Sequence, residues 1–382
     1  MWTCTEVTTA PPGPWIRSPK WDLAFIVGSG ALVSVPLITY YGIAALTGVP
    51  PHAFQEQPAL NVAMAINLGC AFLIGGPHLY ATYTMTVAER AFRQRYPALM
   101  WAALLVPVAV VALALVRIQL LMTLFFAWAS VHAVHQLTYI VQQYQVRAGG
   151  TARLPTWSKG IDYLLAMSCL YPVVFWRLLA EPGAVLRLPF GLEIAPGFPI
   201  GAVDISRELP AIVHGQVWIA WIAFAVFGFA LAAFALRSLW ELATGTMIWP
   251  RALLLATTVP IVFSVPLFRN LDVSLQGFNL WHSTQYIGLV YLMNAYRKER
   301  QEISSRFIRS LSGFGNGRRY YGFVVALSVA AGGLIGILHY GVGLPMLHAY
   351  YGVHLSALWV HYLWDHAVFT QADALTPTAA LA

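Results

Sequence analysis

The feature that most limits how this chain can fold is a set of unbroken apolar runs. They are about 20 residues long and recur from Asp22 to Phe369. A helix rises 1.5 Å per residue, so each run is long enough to cross the roughly 30 Å hydrocarbon core of a bilayer. A membrane barrel would show short segments of alternating polarity instead. Only 10% of the residues are charged, against about 25% in ordinary soluble domains. The runs predict spans near 23–47, 61–86, 99–116, 119–144, 161–180, 215–236, 252–268, 275–296, 320–340 and 346–370. The expected fold is all-α, a polytopic transmembrane bundle of about ten spans. It forms a single integral membrane domain over 1–382, with no linker between separately folded parts.

Charge supports the count. The net charge of +7 does not indicate a nucleic-acid binder, because the basic residues sit in short loops between spans. With the N-terminus inside, 17 of the 22 basic residues fall on the cytoplasmic side, including Arg90, Arg147, Arg237, Arg251 and the basic loop 297–319. Arg117, Arg177, Arg187, Arg207 and Arg269 fall outside. This asymmetry is the positive-inside pattern, and it predicts that both termini are cytoplasmic. The loop 297–319 is expected to meet anionic headgroups. The outer loop 181–215 is rich in Pro and Gly, with Leu188, Phe190, Ile194, Phe198 and Ile200 interspersed. It is expected to be a connector or a lid on the bilayer surface. Cys4, Cys70 and Cys169 form no motif, and the polar, Pro-rich start does not resemble a signal peptide.

Ionisable side chains at membrane depth are costly and usually functional. Most of the eleven histidines lie inside predicted spans. His78 is in span 2, His132 and His135 in span 4, His282 in span 8, and His348, His354, His361 and His366 in span 10. These even-numbered spans all run in the same direction. His78 and His135 each precede a basic boundary residue (Arg90, Arg147) by 12 positions, and His282 precedes Arg297 by 15. The three histidines therefore share a layer roughly 20 Å from that boundary.

The helical faces agree. His132, His135, Gln136 and Tyr139 share one face, as do Asn279, His282, Gln285 and Tyr286. His354, His361 and Asp365 share a face of span 10, but His354 and His361 are about 10 Å apart along the axis. One of them can ligate an ion while the other supports it or lines the access route. Gly75-Gly76-Pro77 is expected to kink span 2 just before His78. An internal echo pairs His135-x-x-x-Tyr139-Ile140 with His282-x-x-x-Tyr286-Ile287.

Neutral imidazole binds iron, zinc or copper without bringing net charge into the bilayer. Its second ring nitrogen needs an acceptor, which Gln136, Gln285, Asn279, tyrosines or Asp365 can supply. Asp365 is the only carboxylate well inside a predicted span, so a carboxylate-bridged di-iron site does not fit. A mostly histidine site does. For single histidines the simpler reading is packing, and it is preferred for His339 and His348; His52 and His214 are read as loop residues.

Four short segments (Gly76-Pro77-His78, the pair His132 and His135, Trp281-His282-Ser283 and the segment at His354) resemble the bacterial membrane β-carotene-cleaving dioxygenases of the Brp/Blh family. The resemblance implies iron held by four histidines: His78, His132 or His135, His282 and His354. It also implies dioxygen as co-substrate and the bacterial inner membrane as location. Leu79-Tyr80-Ala81-Thr82 departs from the Gly and Asp that the family places after its Pro-His.

The expectation is an intramembrane metalloenzyme, a non-haem iron (Fe2+) oxygenase for a carotenoid, isoprenoid or fatty chain. Its ligands are drawn from His78, His132, His135, His282 and His354. Tyr139 and Tyr286 are catalytic, and Gln136, Gln285, His361 and Asp365 support the ligands. The alternatives are a haem-binding electron-transfer protein and a transporter of a metal ion or protons. The topology is testable directly: reporter fusions at the two termini are expected to report the same cytoplasmic face, and opposite faces would break the ten-span count.

Overall fold

The computed structural model describes residues 13–49, 62–149, 155–200, 203–209, 213–369 and 375. Cys4, His52 and Arg153 lie outside them. The fold is all-α. Among the described residues there are ten long helices: α1 Pro19–Thr47, α2 Val62–Tyr83, α3 Pro97–Val116, α4 Ile118–Ala148, α5 Thr156–Leu179, α6 Trp218–Ala243, α7 Trp249–Leu267, α8 Leu271–Glu299, α9 Gly317–Gly341 and α10 Met346–Phe369. Each coincides with a predicted span.

Eight of them combine spanning length with an apolar composition, which makes this a multi-pass membrane protein. The other two, α8 and α10, have 29 and 24 residues, long enough to span but more polar. The reason is in their side chains. Asn279, His282, Ser283, Gln285 and Asn294 interrupt α8, and His348, His354, His361 and Asp365 interrupt α10.

The described chain forms two compact units, one of Leu68–Leu121 with the chain from His282 onward, the other of Gly13–Asn67 with Met122–Trp281. In the first unit, α10 packs along α3, α2 and α9. The approach of α2 to α9 depends on glycine. A Cβ on Gly76 would fall 1.7 Å from Ser328 Oγ, and one on Gly332 would fall 2.3 Å from the Phe72 ring. Small residues at such crossings let membrane helices approach closely. The expected irregularity before His78 takes the form of a π-helical turn, Ala71–Gly75, after which Gly76–Tyr83 continues as α-helix. Pro77 has no N–H to give the carbonyl of Leu73 four residues earlier. The Tyr321 hydroxyl donates to that carbonyl instead.

In the second unit, α6 packs on α5, and α7 packs on α1 and α5. Gly277 of α8 lies against the backbone of Val33, where a Cβ would be 2.3 Å from the carbonyl oxygen. The outer loop contains two antiparallel hairpins: β1 Leu186–Leu188 with β2 Leu192–Ile194, and β3 Pro199–Ile200 with β4 Val203–Asp204. Ile194, Phe198 and Ile200 are buried. Arg177 is also buried rather than a free outer charge. It donates to the carbonyls of Gly197 (2.9 Å), Pro266 (3.0 Å) and Phe268 (3.0 Å), and so ties this loop to the end of α7.

Arg237 and Arg251 likewise correct the sequence reading, which counted them as cytoplasmic loop charges. Both are buried in a four-charge network. Arg237 binds Asp162 (2.5 Å) and Glu241 (3.3 Å), and Arg251 binds Asp162 (3.4 Å) and Glu241. Gln145 adds a bond to Asp162 at 2.9 Å. Two cations and two carboxylates sum to zero charge, which allows the cluster to be buried. Removing these two arginines from the loop tally leaves 15 of the 22 basic residues in the segments that the charge pattern predicts to be cytoplasmic. Truncating one partner leaves a buried charge uncompensated. Arg251→Met is expected to cost about 3–5 kcal/mol, read as a large drop in thermal unfolding temperature in detergent.

Candidate metal centre

Three helices of the first unit build the site. Residues four apart on a helix lie on one face. That spacing joins His78 to Thr82 on α2, His282 to Tyr286 on α8, and His361 to Asp365 on α10. All six are buried. The π turn ahead of His78 and the close Gly76–Ser328 contact set the position of α2.

The His78 ring meets His282 edge to face at 4.9 Å between centroids, His361 at 4.4 Å and Tyr286 at 4.6 Å. Tyr286 and His361 stand 5.0 Å apart. His78 and His282 offer ring nitrogens within 4.8 Å of each other, and His361 and Asp365 offer donor atoms within the same distance.

Hydroxyl groups fix these rings. Ser283 Oγ is hydrogen-bonded to His78 Nδ1 at 3.1 Å. Thr82 Oγ1 is a hub, lying 2.5 Å from the Tyr286 hydroxyl, 2.6 Å from His361 Nδ1 and 3.2 Å from Asp365 Oδ1. The Tyr286 hydroxyl donates to Asp365 Oδ1. His361 Nε2 faces Asp365 Oδ2 at 3.4 Å. A second polar layer in the same unit has Asn294 donating to Thr84 Oγ1 at 2.7 Å, with the Tyr320 hydroxyl 3.5 Å from Thr84.

Of the expected residues in the first unit, His78, His282, His361, Asp365 and Tyr286 come together. His361 and Asp365, expected only as support, are within the cluster. His354 lies two helical turns from His361, with its ring stacked on Tyr350 at 5.4 Å. Gln285 is fully buried on α8. In the second unit, His132, Gln136 and Tyr139 are buried along α4, and His135 is half-buried beside them. His339 bonds locally, its Nδ1 2.8 Å from the Leu344 carbonyl, which suits the packing role expected for it. His366 is exposed.

Thr82 and Ser283 were missed. In a membrane helix such hydroxyls commonly bond back to a carbonyl of the preceding turn. The only signal was position: Thr82 sits four residues after His78 and Ser283 directly after His282.

Fold and site together define a multi-pass helical membrane protein with clusters of buried histidines that are compatible with a metal ion. No protein-family model, curated protein or solved structure matches the chain. The hub role of Thr82 is testable by Thr82→Val, which keeps the shape and removes the hydroxyl. It is expected to destabilise the protein by about 1–3 kcal/mol, with Thr82→Ser recovering much of the loss in the same detergent melt.

Proposed function

We propose that the chain is a membrane metalloenzyme, an oxygenase that holds iron within the bilayer and acts on a lipophilic substrate. The observation that supports this best is the convergence of His78, His282 and His361 from three helices, edge to face, in a site closed to solvent. Neutral imidazoles suit iron and leave the site without excess charge. Ser283 engages Nδ1 of His78, which leaves Nε2 as the ligating atom and fixes the ring as outer partners do in metal proteins. Direct contact between His78 and His282 favours a single ion over a haem between them.

Bound iron would supply the activation of dioxygen. The protein's own part is to hold the imidazoles, to keep water out and to admit an apolar molecule from the surrounding lipid. A carotenoid, another isoprenoid or a fatty chain has that character, in keeping with the resemblance to the β-carotene-cleaving dioxygenases. The shortage of carboxylates along any one helix counts against a divalent-cation conduit.

The test is metal analysis and a visible spectrum of the purified protein, followed by incubation with a carotenoid under oxygen. Iron near one equivalent without a Soret band is expected, with His78→Ala and His361→Ala each losing most of it. A Soret band would select haem. Protein without metal that cannot be loaded would remove the metalloenzyme reading.

A further inference from the structure

The hydrogen atoms around Thr82 can be counted. Asp365 Oδ1, as a carboxylate oxygen, only accepts, so the single hydroxyl hydrogen of Tyr286 lies in the Tyr286–Asp365 bond. In the arrangement that gives each of the three shortest contacts its own hydrogen, the 2.5 Å contact between Thr82 and Tyr286 uses the Thr82 hydrogen. The longer 3.2 Å approach of Thr82 to Asp365 Oδ1 is a branch of that same hydrogen. Thr82 has no second hydrogen for His361, so in the 2.6 Å contact the ring donates from Nδ1. A neutral imidazole carrying its hydrogen on Nδ1 presents a lone pair at Nε2.

That lone pair faces Asp365 Oδ2 at 3.4 Å, with both side chains fully buried. A divalent ion held between the imidazole nitrogen and the carboxylate oxygen would be attracted to both in a low-dielectric site. The spacing suits one ion. Donors each about 2.1 Å from a metal and 3.4 Å apart subtend about 108° at it, close to the tetrahedral angle. Helix geometry makes the pair: His361 and Asp365 are one turn apart on α10 and point to the same side.

We propose that Asp365 is a direct metal ligand beside His361, and that Thr82 and Tyr286 are positioning residues that fix the His361 tautomer and the carboxylate orientation. The centre is then a mixed histidine–carboxylate site rather than an all-histidine one. This rests on the reading of the cluster as a metal centre. A carboxylate also offsets one unit of a divalent ion's charge, which lowers the cost of holding that ion in hydrocarbon.

The experiment uses the full chain in detergent with Co2+ as the metal, because its visible bands report the ligand set. Wild-type protein is expected to bind Co2+ with ligand-field bands. Asp365→Asn is expected to weaken binding at least 100-fold and change the bands. Asp365→Glu, which keeps a carboxylate, is expected to bind with shifted bands. Tyr286→Phe is expected to weaken binding about tenfold, in the range of lost outer-sphere support, with the bands retained. If Asp365→Asn binds with unchanged affinity and bands, Asp365 is not a ligand, and the metal centre stands without it. If wild type binds no Co2+, the metal-centre reading itself falls. If Asp365→Asn does not fold, Asp365→Glu decides: shifted bands support the ligand role, and identical bands overturn it.

Discussion

Inside a bilayer there is no water to satisfy a polar group, so each buried donor or acceptor must find its partner within the protein. Much of this structure answers that requirement. The Tyr321 hydroxyl takes up the Leu73 carbonyl that Pro77 cannot serve. Arg177 gathers three backbone carbonyls at the end of α7. Asp162, Arg237, Glu241 and Arg251 cancel one another's charge. Thr82, Tyr286, His361 and Asp365 close a hydrogen-bonded group around the histidines. The four-charge network and the histidine cluster differ in one respect. The first is self-neutralised by fixed charges. The second brings neutral rings and one carboxylate together, an arrangement suited to a cation.

That difference gives the two polar clusters different meanings. The Arg–Asp–Glu network joins α5, α6 and α7 within the second unit. The histidine cluster sits on α2, α8 and α10, and two of these are the helices too polar to pass as simple spans. Polar residues that weaken a helix as a membrane span are tolerated where they face a built interior. The weak apolar character of α8 and α10 is therefore a consequence of carrying His282, His361 and Asp365. Glycine supports the arrangement from the outside, since only its lack of a Cβ lets α2 approach α9 at Gly76.

Much of the fold was legible because hydrocarbon thickness imposes a length and a composition on each span. All ten runs correspond to helices, and His78, His282 and Tyr286 were placed together by helical period and depth alone. The family resemblance ranked His354 above His361, and there the sequence reading was least informative. Both share a face of α10, and a one-dimensional pattern does not say which turn meets α2. Arg237 and Arg251 were read as loop charges because they flank apolar runs. Arg237 has a local partner in Glu241 one turn along α6, but Asp162 comes from α5 and Arg251 joins from α7, and residue spacing does not announce that pairing.

By itself, the sequence determined the class of fold, the helices and most of the histidines that matter, because the bilayer acts on each segment independently. Tertiary structure decided the rest. It chose His361 over His354 for contact with His78, recruited Thr82 and Ser283, and turned three apparent loop arginines, Arg177, Arg237 and Arg251, into buried ones. The physical reason is that hydrogen bonds and ion pairs between helices depend on rotation and crossing. Residue spacing sets which side chains share a face, and only packing sets what that face meets.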